Sequence, residues 1–496
     1  MSSHTSKKYK HFYGDLHTHT GFSDGQGTPK EAFKWAKESR RGDFLAVSDH
    51  ADRIDQRKWE ATLKAAQEAT DETFVALASV ESGYSEEYID EDGVAVVNGG
   101  ELNLLGVSEL IVESGYPTNG EHFGELLKKQ EEAIAFFNHP QEASWPTDKI
   151  WNAYKDFEVL NPEENLQIVG VEVSNETSAY NDLHELVYSI ALDKGWRFAP
   201  FANSDTHSGK WLSGFDDRTV VLAEALTAKD LLEAFRQRRF YAVQNPSFQI
   251  EFEVNGQVMG SVLEPSCIDY EIKIEVENRS PKEGEAFKCI QLISDNGEVV
   301  AEKLLDSFYD LWQFGVASTT AHYYFVRVVN QLGEKIWTAP IWTGRKAKIW
   351  EPVQKGIRIP MDKMSICEVS SEKVAHQAKE VLNLDTKTWW EAEGPMGELL
   401  LDLGEIKNIV GIGYRKNYIH YEDKEALAKL LDCYEYEIRL EQDGEAIHKE
   451  KGRILNYGKE HYTHFESVKG RYIYIKAKSI EENATVAIGN IFIYTQ

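Results

Sequence analysis

The chain has 496 residues, 42% of them hydrophobic and 11% aromatic, enough for about three cored domains at ~150 residues each. Its formal net charge of −28 excludes a nucleic-acid phosphate surface, which needs clustered Lys and Arg. Four scattered cysteines, Cys267, Cys289, Cys367 and Cys433, exclude a disulfide framework and offer no metal-like spacing.

The elements follow in chain order. Residues 9–16 read as a strand that runs into His17-Thr18-His19. On an extended segment, H-x-H turns both rings to the same side. Asp24 follows a glycine-bounded bend. Thr28-Pro29-Lys30-Glu31 is a capping box with proline at the first helical position, opening a helix that stops near Gly42. Residues 44–48 are an apolar strand that delivers Asp49-His50, and 56–70 an amphipathic helix. The next apolar run, 74–80, ends in Glu81. A helix over 121–132 leads to the strand 133–137 and then to Asn138-His139-Pro140. Residues 167–175 carry another strand-end carboxylate, Glu172. A helix over 181–194, closed by Gly195, precedes the run 197–202, which delivers Asn203-Ser204-Asp205-Thr206-His207. Thr227-Ala228-Lys229-Asp230 opens a last helix. Strand-length apolar runs separated by helices are the signature of β/α units around a parallel sheet. In a β/α barrel all C-terminal strand ends meet on one face, so these residues converge. The other histidines, His184 among them, read as surface or capping residues; His122 could line the mouth.

After Gln244-Asn245-Pro246 short alternating strands replace the β/α pattern: 249–254, 269–276, 289–293 and 323–329, punctuated by Asn255-Gly256 and Leu332-Gly333 turns. This is a β-sandwich without clustered ionisable residues. Residues 1–10 lack the apolar core of a secretory signal, and no stretch approaches the ~20 apolar residues of a membrane span. A cytoplasmic protein is the expectation, or a secreted or periplasmic one if a leader was removed. Oligomeric state is not legible.

As a set, HxH at His17/His19, Asp24, SDH at Asp49-His50, Glu81, NHP at His139 and SDTH at Asp205/His207 resemble the PHP (polymerase and histidinol phosphatase) superfamily of metal-dependent hydrolases. The flanking text 100–107 looks most like its CehA/McbA-type branch. The resemblance implies an α/β fold: a distorted (β/α)7 TIM-like barrel over residues 1–246, holding two or three divalent ions (manganese, iron or zinc). A β-sandwich accessory domain would follow over 247–347. Residues 352–496 resemble a discoidin or coagulation-factor 5/8 type C domain, through Trp389-Trp390, 399–404, 409–414 and 488–494. That implies a second β-sandwich, a jelly roll of galactose-binding type. Trp389 and Trp390 would belong either to its core or to a glycan-binding loop.

Carried over residue by residue, the resemblance places His17, His19, Glu81 and Asp205 on one ion. Glu81 would bridge to a second, which His139 also binds. Asp24, His50 and His207 would hold a third. Glu101, in Gly100-Glu101-Leu102-Asn103, stands where the family usually has histidine. As a ligand it would favour manganese, iron or magnesium over zinc, since carboxylates suit harder ions. Glu81, Asp205 and His207 are the implied catalytic residues; Asp15 and Asp49 would either fix histidine tautomers or serve surface or turn roles, and Glu172 would support or ligate. Arg53, Lys210 and Arg218 lie close in sequence to ligand segments, and one of them could clamp a phosphate; the other reading of each is an ordinary surface charge. Three divalent ions against four carboxylates and a hydroxide leave a small positive excess, which suits an anionic substrate. The implied function is hydrolysis of a phosphate ester, of a sugar or other small molecule, by a metal-bridging hydroxide. The same nucleophile would cleave a carbamate, amide or carboxyl ester, so that alternative stays open. A third reading is a glycan-binding protein with an inactive barrel.

Overall fold

The computed structural model describes residues 9–496 except 90–92, 94, 111–119, 141–149, 154–165, 176–180, 266–268, 318–320, 346–355, 386–387, 416–430, 453–459 and 480–484. The chain forms two units. The first comprises Met1–Ser85, Gly100–Pro140 and Phe157–Ile349; the second comprises Glu86–Gly99, Gln141–Asp156 and Trp350–Gln496.

Strand β1 (Lys10–Asp15) pairs in parallel with β2 (Phe44–Val47), and β2 with β3 (Val75–Ile89). Gly14 is required in β1, because a Cβ there would lie 2.2 Å from the Phe44 ring. Between β1 and β2 runs helix α1 (Pro29–Ser39). Its start carries the expected capping box: Thr28 accepts from the Glu31 amide, and Glu31 reaches back. Helix α2 (Gln56–Ala69) buries Ala65 and Ala66 in one core with Leu45 and Val47 of β2 and Ala76 of β3. The sheet continues through β4 (Ala95–Leu105), β5 (Ile134–Phe137), β7 (Ile168–Ser174) and β8 (Ala199–Ala202), with β6 (Ile150–Ala153) off its path. Helix α3 (Gly120–Lys128) precedes β5, and α4 (Asn181–Asp193) lies between β7 and β8. The β5–β7 and β7–β8 pairs are parallel, as β/α units require, but β4 and β5 are antiparallel. The reason is local: β3 and β4 are consecutive, adjacent strands with no helix between them, so the all-parallel repeat is broken there.

On the other side of β1 lie β9 (Arg218–Ala223) and β10 (Phe240–Val243), both antiparallel to their neighbours and joined by α5 (Ala228–Arg236). Across the sequence boundary at 246/247, β10 pairs with a strand of the following segment, β18 (Lys335–Thr338), so one 15-stranded sheet runs through both. The segment's other strands in that sheet include β14 (Phe287–Ser294), β15 (Glu298–Ser307) and β17 (Tyr323–Asn330). A four-stranded sheet holds β11 (Phe248–Val254), β12 (Gln257–Val258), β13 (Tyr270–Asn278) and β16 (Tyr309–Val316). Strict alternation buries Phe248, Ile250, Phe252 and Val254, which join Tyr13, Tyr241 and Phe235 in one core.

The second unit is built on a seven-stranded antiparallel sheet. Its centre is Met396–Arg415 paired with Glu460–Ser479, flanked by Asn490–Thr495 and Leu431–Arg439. A small second sheet pairs Trp390 with Ile488. Trp390 is fully buried and donates Nε1–H to the Ser371 carbonyl at 3.0 Å. Trp389 is half-buried, its ring stacked on His376 with centroids 3.9 Å apart. Among the described residues, no helix is long and apolar enough to cross a membrane.

Candidate metal centre

The chain leaves β1 at Asp15 and enters the segment 16–20, all of it buried. A parallel bridge joins Thr18 to Thr206, and the His19 amide donates to the Thr206 carbonyl at 3.0 Å. A second bridge joins His50 to Glu81. These backbone contacts draw the segments after β1, β2 and β8 onto one spot of β3.

All nine candidate ligands gather there. His17 Nε2 lies 3.2 Å from Glu81 Oε1 and 3.1 Å from Asp205 Oδ1. His19 Nε2 lies 3.2 Å from Glu81 Oε2 and 3.0 Å from Asp205 Oδ1. Glu81 also receives His50 Nδ1 at 3.1 Å and His139 Nε2 at 3.4 Å. Towards the exterior, Asp24 lies 3.4 Å from His50 Nε2 and 3.3 Å from His207 Nε2. Glu101 stands 3.9 Å from His50 Nδ1 and 3.7 Å from His139 Nε2. Four overlapping sets could each hold an ion: His17/His19/Glu81; His17/His139/Asp205; His19/Asp24/His50/His207; and His50/Glu81/Glu101.

Two observations test whether these residues fit divalent cations. Five buried atoms, His17 Nε2, His19 Nε2, His50 Nδ1, Glu81 Oε2 and Asp205 Oδ1, have no hydrogen-bond partner, although such groups are normally satisfied. Four spacings among them, His17 Nε2–Asp205 Oδ1, His19 Nε2–Glu81 Oε2, His19 Nε2–Asp205 Oδ1 and His50 Nδ1–Glu81 Oε2, are 3.0–3.2 Å and match ligand–ligand edges of a coordination shell, ~3.0–3.4 Å for bonds of ~2.1 Å. The donor set fits.

The electrostatics agree. Burial pushes His17 down, but Asp205, Glu81 and Glu172 together carry it well above its ordinary range. Burial opposes the charge of Glu81 too, yet His17 and the other histidines hold it well below the usual carboxylate value. Each charge at this spot is tolerated because opposite charges face it. His139 and Asp205 have positive φ, 24° and 47°, costing about 1–3 kcal/mol each and characteristic of functional sites.

Several expectations need correction. Glu81 sits within β3, not at its end, because the strand continues past it to Ile89; Glu101 likewise lies inside β4. The two strands approach closely enough that a Cβ on Gly83 would meet the Gly100 carbonyl at 2.4 Å. Asp15 and Asp49 do not meet histidine ring nitrogens. Asp15 accepts from the His17 amide and from Ser204 N and Oγ, tying the end of β1 to the segment after β8. Asp49 accepts from Thr20 and Ser23, shaping the bend before Asp24. Arg218 is not a phosphate clamp: it is fully buried, and its donors go to the carbonyls of Arg41, Leu212, Phe215 and Asp217. It holds the loop that follows His207. Lys210 is exposed on that loop. Arg53 is half-exposed and donates to Asp24 Oδ2 at 2.7 Å, so of the three it adjoins the cluster. His184 is no surface residue but fully buried, and burial depresses its pKa to about 3. Trp145-Pro146 lie outside the described residues.

Sequence reasoning passed over a set of buried asparagines. Asn138 Nδ2 donates to Glu81 Oε1 at 2.5 Å and to Asn103 Oδ1 at 3.1 Å; Asn103 Nδ2 donates to the Leu16 carbonyl. Asn203 accepts from the Leu16 amide and donates to Glu172 Oε1 at 2.8 Å. The available signal was that two apolar runs end in Asn directly before ligand segments.

No family model matches the chain, and no curated protein matches it. Among solved structures, it is similar to a two-domain protein from Bacteroides vulgatus described as containing a predicted PHP-like metal-dependent phosphoesterase. The identity is 15%, covering 69% of this chain and 94% of that one, with a TM-score of 0.36. A family 32 carbohydrate-binding module of NanJ from Clostridium perfringens, in complex with galactose, matches at 14% identity over 27% of this chain and 96% of its own, TM-score 0.23. A second Clostridium perfringens module, in complex with GalNAc-β-1,3-galactose, matches at 16% identity over 28% of this chain and 100% of its own, TM-score 0.24.

Proposed function

We propose that the strands β1–β10 form a distorted β/α barrel and that the chain is a metal-dependent hydrolase of phosphate esters. The observation that carries this reading is that five buried ligand atoms, none of them hydrogen-bonded, stand within 3.0–3.2 Å of oppositely charged neighbours in one cluster. His17, His19, Glu81 and Asp205 would hold one ion; Glu81, His139 and Glu101 a second; Asp24, His50 and His207 a third. When bound, such ions supply Lewis acidity and lower the pKa of water towards ~7. The chain's own part is placement. Glu81 turns one oxygen to His17 and His139 and the other to His19 and His50, so it suits two ions at once. Arg53, half-exposed and donating to Asp24 Oδ2, is a cation that a substrate anion could meet beside the cluster.

The pocket is less cationic than residue counting suggests, because Glu172 adds a fifth, fully buried carboxylate. The three domains stand in this reading as residues 1–246, 247–347 and 352–496, with a small molecule or carbohydrate as substrate. The test is a panel of nitrophenyl phosphate monoester, phosphate diester, carboxyl ester and carbamate substrates, each with manganese, iron and zinc. Turnover is expected on a phosphate ester and absent in His139→Ala. Turnover only on the carbonyl substrates would transfer the assignment to that class. No turnover with full metal occupancy would favour the inactive-barrel reading.

A further inference from the structure

Glu172 lies in β7, fully buried, and both its oxygens are engaged. Oε1 accepts from His17 Nδ1 at 3.0 Å and from Asn203 Nδ2 at 2.8 Å. Oε2 accepts from the His139 backbone amide at 2.7 Å and from Asn175 Nδ2 at 2.7 Å. Among the described residues it belongs to none of the sets able to hold an ion. An ionised carboxylate has no proton to give, so His17 must carry its hydrogen on Nδ1. With a cation in place of the Nε2 proton, the Nε2 lone pair would then be the atom offered on the side of Glu81 and Asp205. The second oxygen grips the one backbone amide of the cluster whose residue has φ of 24°, a conformation that needs an outside hold.

We propose that Glu172 is a positioning residue that sets the tautomer and direction of His17 and the backbone of His139, so that both present Nε2 to the metal centre. Two candidate ligands from different strand ends, after β1 and after β5, thus share one anion. This rests on the reading of the cluster as a metal centre, and the experiment separates the two.

Full-length protein stripped with EDTA is titrated with Mn²⁺ alone and with Zn²⁺ alone by equilibrium dialysis. If the wild type binds neither ion, the metal-centre reading fails. Given wild-type binding, Glu172→Gln is expected to weaken one binding step about 10–100-fold and leave the others in place. Glu172→Asp, which keeps the charge, recovers part of that loss. The metal-free melting temperature falls no further than in Glu185→Gln, a buried carboxylate elsewhere in the unit. Unchanged affinity would overturn the proposal; so would equal weakening of every step with a larger fall in melting temperature. Should Glu172→Gln not fold, Asn175→Ala removes one donor to the same oxygen. It is expected to loosen the same step several-fold, and wild-type affinity in that variant would overturn the proposal.

Discussion

Glu81→Gln is expected to lower hydrolysis at least about a thousandfold, ~4 kcal/mol of transition-state stabilisation, and to empty most of the metal centre. The expectation rests on how the carboxylate is used. Four histidines face its two oxygens within 3.4 Å, and an amide can offer an oxygen to only one side. Whichever way the amide turns, an NH₂ group faces two imidazole nitrogens where a cation is expected. Glu81 is fully buried, so water cannot substitute for the lost oxygen without entering the core. The check is turnover and metal content on the same sample. Wild-type turnover with wild-type metal content would show that Glu81 is not a shared ligand.

Glu185→Ala is expected to destabilise the first unit by about 3 kcal/mol, the lower end of the range for breaking a buried ion pair. Glu185, on α4, pairs with Arg327 of β17 and with Lys335 of β18, the latter at 3.0 Å. Truncation removes the carboxylate that faces both cations; their partial exposure, 25% and 17%, keeps the cost moderate. The sign with pH is fixed. Burial pushes the carboxyl up, but Lys335 and Arg327 outweigh it and hold the pKa at about 2. A depressed carboxylate contributes fully above its unfolded value, ~4.3, and loses that contribution as pH falls towards the folded value. The difference in urea-unfolding free energy between wild type and variant should be constant above about pH 5 and shrink between about pH 4 and 2. A difference that persists undiminished at pH 2 would show that packing, not charge, supplies the effect.

The site was more legible than the fold around it. His17, His19, His50, His139, Asp205 and His207 sit beside apolar runs of strand length, and that local signal survives folding. Glu101 was legible only as an unexpected residue in a familiar place, and the structure does bring it within 4 Å of two candidate-ligand histidines. Glu172 was underweighted because its strand, Ile168–Ser174, is buried at every position. With no alternation between inside and outside, period gives no hint of which face points to the centre. Arg218 failed for the opposite reason: proximity in sequence to His207 says nothing of direction, and its guanidinium makes four hydrogen bonds to backbone carbonyls. The strands β9 and β10 were passed over because no ligand follows them. They nevertheless carry the sheet into the next segment, through pairing of Val243 with Ile336. Long-range pairing of this kind leaves no trace in local pattern.

The most direct measurement is elemental analysis of full-length protein purified without added metal, alongside a variant carrying His17→Ala and Asp205→Ala. Two or three divalent ions per chain are predicted in the wild type, with manganese or iron among them, and a loss of at least one in the variant. Less than one ion per chain in the wild type, after reloading with each of the three metals and unaltered in the variant, would contradict the account.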